Sequence, residues 1–303
     1  MPDMSVKICG ISFKNPVIAA SGTFGFGMEY SEFYPISRLG GISCKGTTLV
    51  ERMGNPTPRI VETSCGILNS VGLQNPGVGR FLSSYLPRLK KQDIVVIANI
   101  AGNSVEDYCE MAERLKDSQV DMIELNISCP NVKQGGVNFG VLPESVAEVT
   151  AQVKKRSDKP LMVKLTPNVT SIGDIAKAAE GAGADALSLI NTLTGMRIDI
   201  KSRRPVLRNN TGGLSGRAIF PVALRMVREV YKCVKIPVVG MGGISSWEDA
   251  AEMMIAGANA VQVGTANFHD PFACVKIIEG LGNYTDSLGL KSITELTGTL
   301  SEW

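Results

Sequence analysis

The chain has little of what metal and dinucleotide sites are usually built from. It has one histidine, His269, and its seven cysteines never fall at CxxC spacing. With no His/Asp/Glu cluster either, the pattern excludes the common zinc and iron–sulfur ligand sets, so no metal is expected. No GxGxxG follows a strand to open a helix, which argues against a Rossmann-type NAD or FAD site on this chain. Basic blocks are missing and the formal net charge is +2, so nothing points to nucleic acid. No apolar run reaches the ~20 residues that span a bilayer, and Met1-Pro2-Asp3-Met4-Ser5-Val6-Lys7 lacks the apolar core of a signal peptide. An odd, scattered set of cysteines suits free thiols in a reducing compartment, with cytoplasm the default. Composition is otherwise that of a soluble enzyme, 44% hydrophobic and 20% charged.

Short apolar runs alternate with amphipathic stretches along the whole chain. Strands are expected at 17–20, 41–45, 94–100, 122–127, 161–165, 186–190, 237–240 and 260–263. Several are continuous apolar runs, as parallel strands buried on both faces require. Helical patterns fill 105–117, 143–156, 171–182, 218–233 and 246–256. Ser245 with Glu248 reads as a capping box for the last of these, and Gly257 as its stop. Eight strands with intervening helices predict an α/β fold, a (β/α)₈ TIM barrel, formed by residues 1–303 as one domain. A doubly wound sheet fits less well, since strand one runs into Ala20-Ser21-Gly22-Thr23-Phe24-Gly25 rather than a dinucleotide turn. Residues 5–13, with Gly10 at their centre, read as a hairpin closing the barrel bottom. The insertions 46–79 and 194–216 follow strands two and six. Both leave from strand C-termini, where barrel enzymes place their active sites, and read as functional covers.

The barrel mouth then collects Ser21, Lys45, Asn99, Asn126, Cys129, Lys164, Asn191 and Thr192 at strand ends. Two lysines and three amides closing apolar strands are hard to explain by packing, because Lys is almost never buried without a partner. After strands seven and eight, Gly240-Met241-Gly242-Gly243-Ile244 and Gly264-Thr265 offer unobstructed backbone N–H groups. In barrels that position commonly binds a phosphate; taken alone, the glycines could equally serve tight turns. No carboxylate lies near either lysine in the chain, so a Schiff base and simple anion binding both stay open. His269 reads as structural or surface. Among the cysteines, packing suits Cys9, Cys44 or Cys233, each in or beside an apolar stretch. Cys129 instead sits in Asn126-Ile127-Ser128-Cys129-Pro130-Asn131, between amides at the end of a strand. A thiol with an ordinary pKa near 8.5 can act there as base or nucleophile.

These residues resemble a known family. The ordered motifs are Ala20-Ser21-Gly22-Thr23, Lys45-Gly46-Thr47, Asn69-Ser70-Val71-Gly72-Leu73-Gln74-Asn75-Pro76-Gly77, the Asn126–Asn131 hexapeptide and Lys164-Leu165-Thr166-Pro167. Asn191-Thr192, Gly212-Gly213-Leu214-Ser215-Gly216 and the Gly240–Ile244 run complete the set. Together they resemble the class 1 dihydroorotate dehydrogenases, most closely the class 1B (NAD-dependent) catalytic subunit. The resemblance implies FMN-dependent oxidation of (S)-dihydroorotate to orotate in pyrimidine (UMP) biosynthesis. It implies Cys129 as the base that takes the C5 proton, with hydride passing from C6 to flavin N5. Lys45, Asn69, Ser70, Val71, Gly72, Leu73, Asn126, Asn191 and Thr192 would hold substrate. Ser21, Lys45, Gly46, Asn99, Asn126, Lys164, Ile190, Gly216, Gly242, Gly243, Gly264 and Thr265 would bind FMN. The 1B subclass, suggested by Pro130-Asn131-Val132-Lys133-Gln134-Gly135-Gly136-Val137-Asn138-Phe139-Gly140, implies a partner subunit carrying FAD and a [2Fe–2S] cluster. That partner would pass electrons to NAD⁺ in a heterotetramer of two subunits of each kind. The alternatives are a class 1A-type fumarate-dependent homodimer, another Cys-dependent barrel, and a ligand-binding barrel without catalysis.

Overall fold

The computed structural model describes residues 2–127 and 139–303. Eight parallel strands close into a barrel in chain order: Val17–Ala19, Gly41–Ser43, Val95–Ile100, Met122–Asn126, Leu161–Lys164, Ala186–Leu189, Val238–Met241 and Ala260–Val263. Every residue of the first strand and of the fourth is buried, as expected where helices cover the outside and side chains fill the inside. The (β/α)₈ expectation therefore holds, with every strand boundary within two residues of the expected one and the eighth strand unshifted. Strand two ends before Lys45 because that residue's N–H turns away from the ladder to the carbonyl of Gly25, at 2.9 Å.

The helices come where the 3.6-residue pattern put them, for example Val105–Lys116, Pro143–Lys154 and Ile172–Gly181. Ser104 and Ser171 cap two of them by accepting the N–H of Asp107 and of Asp174. The expected Ser245/Glu248 capping box is displaced by one residue. Ser246 is the cap of Trp247–Ala256 and Asp249 its partner. The shorter Asp249 carboxylate gathers Ser245 N–H at 2.7 Å, Ser245 Oγ at 2.8 Å and Ser246 N–H at 3.0 Å. Gly257 does end the helix, with φ at +129°. The sequence pattern did not mark Ala273–Ser287, a 15-residue helix that begins without a side-chain cap.

Beneath the barrel, Val6–Ile8 and Ile11–Phe13 pair as the expected hairpin. Cys9 and Gly10 form its two-residue turn at φ +51° and +82°, the backbone that a tight antiparallel turn needs. The Cys9 thiol donates to the carbonyl of Asp185, just before strand six. The two long insertions are ordered sheet. Ile60–Thr63 and Gly66–Asn69 from the first join Leu193–Gly195 and Gly212–Ser215 from the second in one four-stranded antiparallel sheet. Segments almost 150 residues apart in sequence thus build one wall over the mouth. Among the described residues, no helix is long and apolar enough to cross a membrane.

Candidate active site

At the C-terminal ends of the strands lies an open cavity of about 1270 Å³, counting solvent at its mouth. Its lining includes Ser21, Lys45, Gly46, Asn99, Asn126, Lys164, Ile190, Asn191, Thr192, Gly216, Gly242, Gly243, Gly264 and Thr265. The insertion sheet adds Asn69, Val71, Gly72 and Leu73. Residues drawn from every barrel strand end and from both insertions thus meet in one place. Ser70 does not join them. It is fully buried, its backbone N–H goes to the Arg59 carbonyl and its own carbonyl takes the Asn55 side-chain amide. Cys129 lies outside the described residues.

The substrate-side wall is held in a strained form. Leu73 has φ of +56° next to Gly72 at +76°, a conformation that costs a non-glycine residue roughly 1 kcal/mol or more. Asn75 secures it: Nδ2 donates to the Leu73 carbonyl at 2.7 Å, and Oδ1 accepts from the N–H groups of Thr48 and Gly77. Opposite, Asn168 Nδ2 donates to the Thr192 carbonyl and Asn168 Oδ1 accepts from Thr194 N–H. At the end of strand four, the Tyr108 hydroxyl donates to the Asn126 carbonyl at 2.9 Å. That bond fixes the backbone three residues before Cys129. Sequence reasoning gave no role to Asn75, Asn168 or Tyr108 because none sits at a barrel strand end, although Asn75 falls within the Asn69–Gly77 motif.

At the other side of the cavity, the loops after strands seven and eight meet the second insertion. Thr265 Oγ1 donates to Ser215 Oγ at 2.9 Å. Gly243, with φ +78°, packs so tightly against the helix start at Phe220 that an added Cβ would fall 2.7 Å from the Phe220 nitrogen. Gly243 can therefore carry no side chain that would cover the backbone of this turn. This arrangement suits a phosphate.

Below the mouth lies a feature the sequence reading missed. Glu124, in the middle of strand four, is 0% exposed. Its Oε2 accepts from Ser43 Oγ and Asn99 Nδ2, each at 2.6 Å, and its Oε1 from Ser188 Oγ at 2.8 Å and Gln262 Nε2 at 2.7 Å. Burial pushes this carboxyl toward its neutral form, but the Lys164 charge and the bonds from Ser43, Asn99 and Gln262 outweigh it and hold it below its ordinary range. Lys164 itself is 5% exposed and reaches Ser21 Oγ at 3.3 Å. A signal was available: a lone acidic residue in Met122-Ile123-Glu124-Leu125-Asn126 has no reason to occupy an apolar strand without partners. The lysine that had no carboxylate near it in the chain lies within reach of the charge of one on the neighbouring strand.

The cysteines separate by environment. Cys44 is buried beside Glu124, and desolvation and that charge both push its thiol up. Cys274 is pushed up to about 12 by burial. Neither can serve as a base near neutral pH. His269 is exposed at the end of a short helix. Among the described residues, no group of three or more His, Cys, Asp or Glu side chains is placed to hold a metal ion.

The cavity's donor set fits FMN. It combines the glycine-rich turns after strands seven and eight, two lysines and several amides, and the lining residue Gln262 has a buried Oε1 without a hydrogen-bond partner. The dihydroorotate dehydrogenase family model matches residues 3–284 of the chain. A dihydroorotate dehydrogenase B (NAD(+)) catalytic subunit from Alkaliphilus oremlandii is 56% identical over 298 residues, covering 98% of this chain and 99% of that protein. The protein of the same name from Oceanobacillus iheyensis is 56% identical, covering 97% of each chain. That from Bacteroides fragilis is 52% identical, covering 99% of each. With the barrel, the mouth and the full-length similarity in agreement, the chain is an oxidoreductase that belongs to the dihydroorotate dehydrogenase family.

Proposed function

We infer that residues 1–303 form one FMN-binding domain that oxidises (S)-dihydroorotate to orotate, as the catalytic subunit of a class 1B enzyme. The observation that carries this reading is the convergence of eighteen of the twenty expected site residues on one cavity, Ser70 and Cys129 being the exceptions. Bound FMN would supply the acceptor for the hydride that leaves C6. Its phosphate would rest on the Gly242, Gly243, Gly264 and Thr265 amides, with Gly216 beside them. Ser21, Lys45, Gly46, Asn99, Asn126, Lys164 and Ile190 would hold the rest.

The protein's own residues have three tasks. Lys45, Asn126, Asn191 and Thr192, with the wall of Asn69, Val71, Gly72 and Leu73, bind the substrate's carboxylate and ring amides and fix C5 against the base. Cys129, three residues beyond the Tyr108-anchored Asn126, removes the C5 proton; positioned bases of this kind contribute roughly 10²–10⁴-fold. Lysine and amide donors set in advance around the ring stabilise the negative charge that develops as the proton leaves.

Similarity to proteins named as NAD(+)-linked catalytic subunits supports a partner subunit. We assign it FAD and a [2Fe–2S] cluster, with two copies of each subunit and electrons passing to NAD⁺. A cytoplasmic location agrees with seven scattered cysteines. The visible spectrum of the purified protein tests the cofactor, with flavin bands and one FMN per chain expected and a colourless protein contradicting it. An acceptor screen tests the subclass. Turnover linked to NAD⁺ only when a second subunit is present is expected, and fumarate-dependent turnover by this chain alone would place it with class 1A.

A further inference from the structure

Barrel interiors are ordinarily filled by branched apolar side chains. Here the layer under the cavity is polar: Ser43, Asn99, Ser188 and Gln262 each spend a donor on the Glu124 carboxylate. An ionised carboxylate only accepts. Its four donors therefore fix which atoms their owners turn elsewhere. Asn99 gives its NH₂ to Glu124 and directs Oδ1 to Asn126 Nδ2 at 3.4 Å, directly under Gly46, where an added Cβ would come within 2.9 Å of it. Gln262 gives its NH₂ likewise, and its Oε1 is left buried with no partner although the residue lines the cavity. Both amides thus turn an oxygen away from Glu124: Asn99 toward Asn126 on the cavity lining, and Gln262, itself a lining residue, into a buried position without a partner.

We propose that Glu124 is a positioning residue of this site: from inside the barrel it locks the Asn99 and Gln262 amides with their oxygens toward the cavity, so that the floor beside Lys164 accepts hydrogen bonds rather than donating them. The ligand edge that this floor recognises is one with a polar N–H, as in the imide of a flavin. This assignment rests on reading the cavity as the FMN site. The charge of Lys164 offsets that of Glu124, as buried charges require. Replacing the carboxylate by an amide would bring one acceptor and one NH₂ to a place that holds four donors. At least one of the two floor amides would then have to turn over and present its NH₂ to the cavity.

The test is Glu124→Gln, measured on apoprotein by flavin fluorescence quenching and by the rise in melting temperature on adding FMN. FMN affinity is expected to fall at least tenfold and the FMN-induced rise to shrink. If E124Q lowers only the apoprotein's melting temperature, with affinity and FMN-induced rise as in the wild type, Glu124 is a packing residue and the proposal fails. If the wild type binds no FMN, the reading of the cavity fails instead. Neutron diffraction of the wild type decides the amide assignment without any variant, and also serves if E124Q does not fold. Deuterons on Asn99 Nδ2 and Gln262 Nε2 facing an ionised Glu124 are expected; a deuteron on Glu124, or either amide oxygen facing it, would overturn the proposal.

Discussion

The two ends of the barrel use the same residue types for opposite purposes. At the N-terminal end, polar side chains close on the protein's own backbone. Asp121, just before strand four, accepts the Val96 N–H of strand three and the Lys90 ammonium, each at 2.8 Å. Asp185, just before strand six, takes the Leu161 N–H of strand five and pairs with Lys154. Asn259, before strand eight, accepts the Val238 N–H of strand seven at 2.9 Å. Each ties the start of one strand to the approach of the next. At the C-terminal end, lysines and amides line a cavity instead, and the Gln262 oxygen has no partner. Polar groups bonded to the backbone stabilise; polar groups facing a cavity recognise.

If this division is right, changes at the two ends should separate cleanly into loss of function and loss of stability. The largest effect is expected for Cys129→Ala: flavin reduction by dihydroorotate should slow by about 10²–10⁴-fold, with FMN retained and the melting temperature unchanged. Next, Lys164→Ala removes a buried charge from the cavity floor. Charged hydrogen bonds contribute roughly 1.5–3 kcal/mol, so FMN affinity should drop about ten- to hundredfold in a fluorescence titration. At the opposite end, Asp185→Ala orphans the Leu161 N–H at a cost of about 1–3 kcal/mol. The melting temperature should fall by a few degrees while FMN affinity stays put. A weakened FMN site in that variant would break the comparison.

The smallest effect concerns acid. Glu124 is held below its ordinary 4.5 in the folded protein, so its contribution is present above that value and is lost as pH falls through its folded pKa. The difference in melting temperature between wild type and E124Q should stay constant above about pH 5 and shrink below it. A difference that instead grew as the pH fell would contradict the ionised, hydrogen-bonded assignment.

How much of this could be read in the sequence follows the same division. Continuous apolar runs and helical periodicity are local, so the barrel, its order and the hairpin at Gly10 were legible. So was the ring of strand-end residues, since a strand's C-terminus names its own mouth position. What escaped depends on contacts across the fold. The four-stranded sheet joins 60–69 to 193–215, and no local pattern announces such a pairing. Glu124 meets Ser43, Gln262 and Ser188 from three other strands, so the carboxylate serving Lys164 was invisible to a search along the chain. Asn168 and Tyr108 act on backbone carbonyls and carry no motif, and Asn75, although within the Asn69–Gly77 motif, acts only through backbone groups. Ser70 went the other way: its motif neighbours line the cavity, but it is buried outside that lining.

The central claim is that the mouth oxidises dihydroorotate by proton removal at Cys129 with FMN as acceptor. Anaerobic stopped-flow mixing of dihydroorotate with the FMN-loaded protein, wild type beside Cys129→Ala, tests it most directly. The account predicts rapid bleaching of the flavin bands in the wild type and bleaching slowed by at least about a hundredfold in the variant, with equal flavin content. Equal rates in the two proteins, or no bleaching in the wild type, would contradict it.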